Sequence, residues 1–148
     1  MYKHLLVTLD GSPGAEAVIQ HAADIARSMD AEVTLLRIVD AVGADWSERG
    51  ALGKAQVDAA ARSPFADQAQ AYLERVATPM RQTGLRVNTL VRQGAAARQI
   101  VGAAKDVEAD AIAMSTHSRR GINRAMFGSI AEAVLHESSL PVLLVKER

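Results

Sequence analysis

The stretch HLLVTLDGSPGAEAVIQHAADIA, residues 4–26, decides the fold. It opens on an apolar run of strand length, residues 4–9. Ser12 then offers an N-cap oxygen, and Pro13 suits the first position of a helix. Ala15, Val18, Ile19, Ala22, Ile25 and Ala26 follow at helical spacing, one apolar stripe on a polar cylinder. A strand passing directly into an amphipathic helix is a βα unit, and the rest of the chain repeats it.

Further apolar runs occupy residues 32–39, 86–91, 110–114 and 141–145. Between them, Ala69, Tyr72, Leu73, Val76, Ala77 and Met80 form a second stripe, stopped at Gly84. Ile100, Ala103, Ala104 and Val107 form a third, and Ile130, Val134 and Leu135 a fourth that starts at Ser129. Five strands alternating with four helices predict a doubly wound α/β fold, its parallel sheet joined by right-handed crossovers. With 148 residues and no internal repeat, one domain spanning 1–148 is expected. The connection from Ala41 to about Pro64 is too long for a simple loop. It carries Trp46, the sole tryptophan, and a segment, residues 51–62, able to form a short helix. Its role is open between a lid and a surface insertion.

Hydrophobic residues make up 49% of the chain and aromatics 3%, so the core is aliphatic. Lys+Arg and Asp+Glu both number 17, which leaves no net field to attract nucleic acid or an anionic membrane. The absence of cysteine excludes disulfides and thiolate metal sites and suits a reducing cytosol. The N-terminus lacks the pattern of a signal peptide, and no apolar run reaches membrane-spanning length. A soluble cytoplasmic protein is expected.

Ligands of such sheets bind beyond the strands' carboxyl ends, where strand order reverses. The segments to interrogate are Asp10-Gly11-Ser12, Val39-Asp40, Gly94 and the stretch STHSRRGINRAMFGS, residues 115–129. The Asp10 carboxylate can accept from a ribose or an adenine amino group, or it can help cap the following helix. Gly128-Ser129 can present helix N-terminal amides to an anion, or can be an ordinary cap. Arg119, Arg120 and Arg124 can supply charge or form a solvated loop. The four histidines, His4, His21, His117 and His136, have no metal-ligand spacing. No G-x-G-x-x-G follows the first strand, which argues against a flavin or NAD domain. A hydrolase built from Ser12 or Ser129, His117 and Asp10 lacks a G-x-S-x-G elbow. The sequence LDGS also lacks the second aspartate of a haloacid-dehalogenase phosphatase.

The chain resembles the universal stress protein family over essentially its full length. The resemblance rests on LLVTLDGSPGAEAVIQHA at the start, on LLRIVD, and on STHSRRGINRAMFGSIAEAVL followed by SSLPVLLV at the end. It implies a five-stranded sheet of order 3-2-1-4-5. In the family's nucleotide-binding branch a glycine, two residues, a glycine, nine residues and a glycine with serine or threonine wrap the phosphates of ATP. Here Gly128-Ser129 and the nine-residue spacer 119–127 match, while the two earlier glycines fall on Ser115 and Ser118. A serine forced into a left-handed conformation is strained by about 1–2 kcal/mol, whereas one with strand-like angles loses little.

The resemblance implies a regulatory site for ATP or a related adenine nucleotide, with or without Mg²⁺, and at most slow hydrolysis. Adenine is expected near Val39 and the backbone of Leu9 and Asp10, with the ribose on Asp10. The phosphates are expected on the loop Ser115–Ser129, with Met114, Ser115, Thr116, His117, Ser118, Arg119, Gly128, Ser129 and Ile130 as nucleotide-binding residues there. The alternative is a stress-response module that has lost nucleotide binding and acts as a dimer. No catalytic constellation and no tightly bound metal are expected. In the implied strand order the third and fifth strands are the edges. Residues 86–92 are interspersed with polar and charged side chains (Arg86, Asn88, Thr89 and Arg92), as a protected edge is, while residues 140–145 are apolar on both faces. A two-fold homodimer pairing its fifth strands antiparallel is therefore expected.

Overall fold

A computed structural model describes residues 1–39, 64–116 and 128–146. The long connection after Val39, with Trp46, lies outside the described residues, as do His117, Ser118, Arg119, Arg120 and Arg124. The described elements are β1 (His4–Thr8), a 3-10 turn (Gly14–Glu16), α1 (Ala17–Met29), β2 (Glu32–Val39), α2 (Pro64–Gln82), β3 (Val87–Gln93), α3 (Ala96–Asp106), β4 (Ala111–Thr116), α4 (Ser129–Glu137) and β5 (Val142–Lys146). The strands form one sheet of order β3-β2-β1-β4-β5, every neighbouring pair parallel, as expected. The register runs Val7 beside Leu35 and Ala113, so β1 sits centrally with β2 and β4 against it.

The strands read as continuous apolar runs because helices cover both faces. Leu5, Val7, Leu9, Val33, Leu35, Ala111 and Ala113 share one core with Val18, Ala22 and Ala26 of α1 and Leu73 and Ala77 of α2. Leu6, Leu36, Ile112 and Met114 point the other way, into a core with Ile100, Ala103 and Ala104 of α3 and Ala131 and Val134 of α4. The alanines are the small half of this packing, letting helices approach the sheet while Leu6, Leu35, Leu36 and Ile112 fill it.

Two local features, the start of α1 and the start of β4, differ from the sequence reading. The helix starts at Ala17 rather than near Pro13, because the Ser12 hydroxyl takes the Ala15 N–H at 3.2 Å and Glu16 N–H reaches Pro13 O at 3.2 Å. Those i→i+3 bonds wind a 3-10 turn ahead of the helix. Pro79 lies inside α2, where its missing N–H falls on the exposed side. Asp110 precedes β4 instead of starting it, and acts as a clip. Its Oδ2 accepts the Lys3 N–H at 2.6 Å and the His4 N–H at 2.8 Å, fastening the start of β1. Those two amides hold its carboxyl below the usual carboxylate range.

The edges are β3 and β5. On β3, Asn88 bonds Glu32 and Arg92 pairs with Asp106 at 2.6 Å. On β5, Leu143 remains 36% exposed.

Candidate functional site

The carboxyl ends of β2, β1 and β4 lie side by side, and the topology reverses between β1 and β4. Leu9 continues β1 past its last paired residue, its N–H donating to Leu36 O at 2.8 Å. It is buried, as is Val39 at the end of β2, whose carbonyl accepts the Gly94 N–H at 3.4 Å. On the other flank, Met114 is buried while Ser115 and Thr116 are half-buried at the end of β4. Leu9, Asp10, Val39, Met114, Ser115 and Thr116 thus share one end of the sheet. Gly128, Ser129 and Ile130 open α4, which packs on the face shared by Met114. His117, Ser118 and Arg119 lie between these two groups in the chain and outside the described residues.

Asp10 is exposed, and its Oδ1 accepts from both the Ser12 N–H at 2.8 Å and the Ser12 hydroxyl at 2.6 Å. This is a local turn rather than a helix cap, since neither the 3-10 turn nor α1 has a side-chain cap bond at its N-cap; the carboxylate orders the turn that leads into them.

Two backbone observations bear on the altered loop. Ser115 belongs to β4 and pairs in register with Val145, so it has strand geometry and its Cβ stands clear of any left-handed strain. Replacing a glycine there costs the backbone little. Gly128 is different. Its φ of 91° and ψ of 145° form a combination open essentially to glycine alone. It is the N-cap of α4 and contributes no side-chain cap, while Ser129 is the first helical residue and exposed. Gly128 thus contributes no side-chain acceptor to the first turn of α4, and the positive end of the helix dipole is directed past it.

The sequence reading missed Arg37 and Tyr72. Arg37 interrupts the apolar run EVTLLRIV on β2, and a cation in a strand covered on both faces was the available signal. It lies on the α1–α2 side, its guanidinium carbon 5.7 Å from the centroid of the Tyr72 ring on α2. Burial, aided by the nearby carboxylates of Glu16 and Asp10, pushes the Tyr72 phenol up to about 12 against the opposing pull of Arg37 and Arg75. Among the described residues, no group of three His, Asp or Glu side chains is arranged to hold a metal ion. No described helix is long and apolar enough to cross a membrane.

Comparison with known proteins gives the following. The family model for the universal stress protein family matches residues 1–146. Universal stress protein MJ0531 of Methanocaldococcus jannaschii is 30% identical over 99% of this chain and 84% of its own length. The solved structure of protein MJ0577, from the same organism, superposes with a TM-score of 0.81 at 26% identity, covering 100% of this chain and 98% of that one. A universal stress protein crystallised in complex with cAMP superposes with a TM-score of 0.72 over 99% of this chain and 98% of its own; at 20% identity it speaks to the fold alone.

Proposed function

The chain belongs to the universal stress protein family, and on that premise we propose that it binds an adenine nucleotide as a regulatory ligand at the carboxyl ends of β1, β2 and β4. The observation that carries this reading is the backbone around β4 and α4. Gly128 keeps a conformation that only glycine tolerates, immediately before the amides of a helix N-terminus. The substitution at Ser115 falls in a strand, where glycine is not needed. A universal stress protein of the same fold was crystallised in complex with cAMP, an adenine nucleotide.

In this reading the adenine lies against Val39 and Leu9, the ribose meets Asp10, and the phosphates run along residues 114–119 to the N-terminus of α4. Asp10 Oδ1 is already engaged by Ser12, so the ribose takes a carboxylate that the turn has oriented. The nucleotide is ATP with Mg²⁺ carried on its phosphates, and it signals by occupancy, with hydrolysis slow or absent. The protein works in the cytoplasm as a homodimer paired through β5, whose exposed Leu143 fits that interface. The second reading, a dimeric module without nucleotide, draws on the same exposed edge and on the serine at position 118.

Calorimetric titration with ATP and Mg²⁺ tests the proposal. Saturable heat supports it; no heat and no thermal shift at millimolar ligand would remove it and leave the nucleotide-free module.

A further inference from the structure

The α1–α2 side of the sheet contains a cluster of donors without acceptors. Among the described residues, the Arg37 Nε and Nη1 atoms are covered and have no hydrogen-bond partner, and the same holds for Tyr72 Oη. A guanidinium can only donate, and a phenol that ionises near 12 keeps its proton. Three buried donors therefore meet in one place, two of them on a permanent cation. Arg37 as a whole is half-buried, but its covered Nε and Nη1 cost free energy while they lack an acceptor, which a leucine or methionine here would not.

The backbone is shaped around this cation. Gly11 has a φ of 87°, and a Cβ built on it would run into Arg37 Nη1 and come within 3.0 Å of the guanidinium carbon. The turn from Asp10 to Ser12 thus lies directly on the guanidinium, at the carboxyl end of β1. The Tyr72 ring lies 5.7 Å from that carbon and 5.9 Å from that of Arg75. Among the described residues, none of these three donor atoms is engaged.

We propose that Arg37 and Tyr72 form an oxyanion-binding position between the β1–α1 turn and α2, taking a single phosphate or carboxylate group. Each orphan donor then gains an acceptor, and the bonds from the guanidinium are charge-assisted. The carboxylates of Glu16 and Asp10 also act on Tyr72, so an anion bound here works against their repulsion. This position lies on the face covered by α1 and α2, whereas α4 and its N-terminus pack on the other. It is argued from Arg37 and Tyr72 and not from the start of α4, although the Asp10–Ser12 turn borders both this position and the proposed ribose site.

The experiment is thermal unfolding of the full chain at constant ionic strength, with inorganic phosphate, acetate or chloride alone as the titrant. Wild-type protein should gain a saturable rise in midpoint with phosphate or acetate over chloride. Arg37→Met should lose that rise, and without added anion it should unfold no earlier than wild type, because two covered donors without an acceptor are gone. Tyr72→Phe should shift the response to higher anion concentration. If Arg37→Met fails to fold, the side-chain Nε–H resonance of Arg37 in wild-type protein gives the answer, moving with phosphate and not with chloride.

Comparing AMP with adenosine separates the possible sources. If the group belongs to a nucleotide, Arg37→Met weakens AMP and spares adenosine; if it is a free anion, phosphate still raises the midpoint with adenosine present. A wild-type midpoint or Arg37 resonance indifferent to phosphate and acetate would overturn the proposal. So would an anion response that survives in Arg37→Met, which would place the anion elsewhere, the N-terminus of α4 included.

Discussion

Replacing Gly128 by alanine tests the backbone argument, and Gly102 supplies its control within the same sheet face. Gly128 holds φ 91° and ψ 145°, where an added Cβ is strained however much space surrounds it. Such a conformation costs a non-glycine residue about 1–3 kcal/mol. Gly102 sits inside α3 without a positive φ, and a Cβ there meets only Arg92 Nη1 at 3.8 Å, an ordinary contact. Glycine within a helix is worse than alanine by roughly 0.5–1 kcal/mol, so Gly102→Ala should stabilise. For a chain of this size 1 kcal/mol moves the unfolding midpoint by about 2–4 °C. Gly128→Ala should therefore lower the midpoint by about 4–8 °C at the middle of its range. Gly102→Ala should raise it by about 1–4 °C. Circular dichroism melts of the two variants beside wild type read both signs. ATP affinity should fall in Gly128→Ala and stay level in Gly102→Ala. Equal midpoints for Gly128→Ala and wild type, or the same loss in both variants, would refute the conformational assignment and with it the preserved cap of α4.

The other predictions are shorter. Ser118→Gly should tighten ATP, and Ser129→Ala should weaken it by about the 1.5–3 kcal/mol of a hydrogen bond to a charged group, read by calorimetry. Unchanged affinity in both would move the phosphates elsewhere. Sedimentation at micromolar concentration should show a dimer for wild type and a monomer for Leu143→Lys; a dimer that tolerates the lysine would exclude the β5 interface. The Asp110 clip predicts an acid limb of stability. Its carboxyl titrates below its unfolded value, so its contribution is complete above about pH 4 and is lost as the pH falls below that. Asp110→Asn should flatten that limb in pH-dependent melts, and an unchanged limb would assign it to other carboxylates.

The strand and helix pattern was legible because a doubly covered parallel sheet writes its strands as unbroken apolar runs and its helices as stripes. Residues 32–39 match β2 end to end, and the remaining strands shift by one or two residues. The departures have local causes. The hydroxyl of Ser12 and the ring of Pro13 favour a cap, but apolar spacing does not separate a 3-10 turn from the first turn of an α-helix. Asp110 reads as a strand residue, since nothing in its neighbours shows that its carboxylate reaches back to the amides of Lys3 and His4, more than a hundred residues away. At the site, the positions of Leu9, Val39 and Ser115 followed from strand ends alone. Whether Ser115 could replace a glycine did not, because a residue's φ is set by the pairing of its strand, here with Val145. Arg37 was visible as a letter but not as a site. Its meaning depends on Gly11 and Tyr72, which only the packing of α2 against β2 brings to it.

The central claim is that an adenine nucleotide sits across the carboxyl ends of β1, β2 and β4 and against the start of α4. Backbone amide chemical shifts of ¹⁵N-labelled protein, recorded through a titration with ATP and Mg²⁺, test it most directly. The account predicts saturable shifts at Leu9, Asp10, Val39, Ser115, Thr116, Ser129 and Ile130, with the β1 and β4 amino ends near Lys3 and Asp110 unmoved. A spectrum unchanged at millimolar ATP, or shifts confined to the outer faces of α1 and α2, would contradict it.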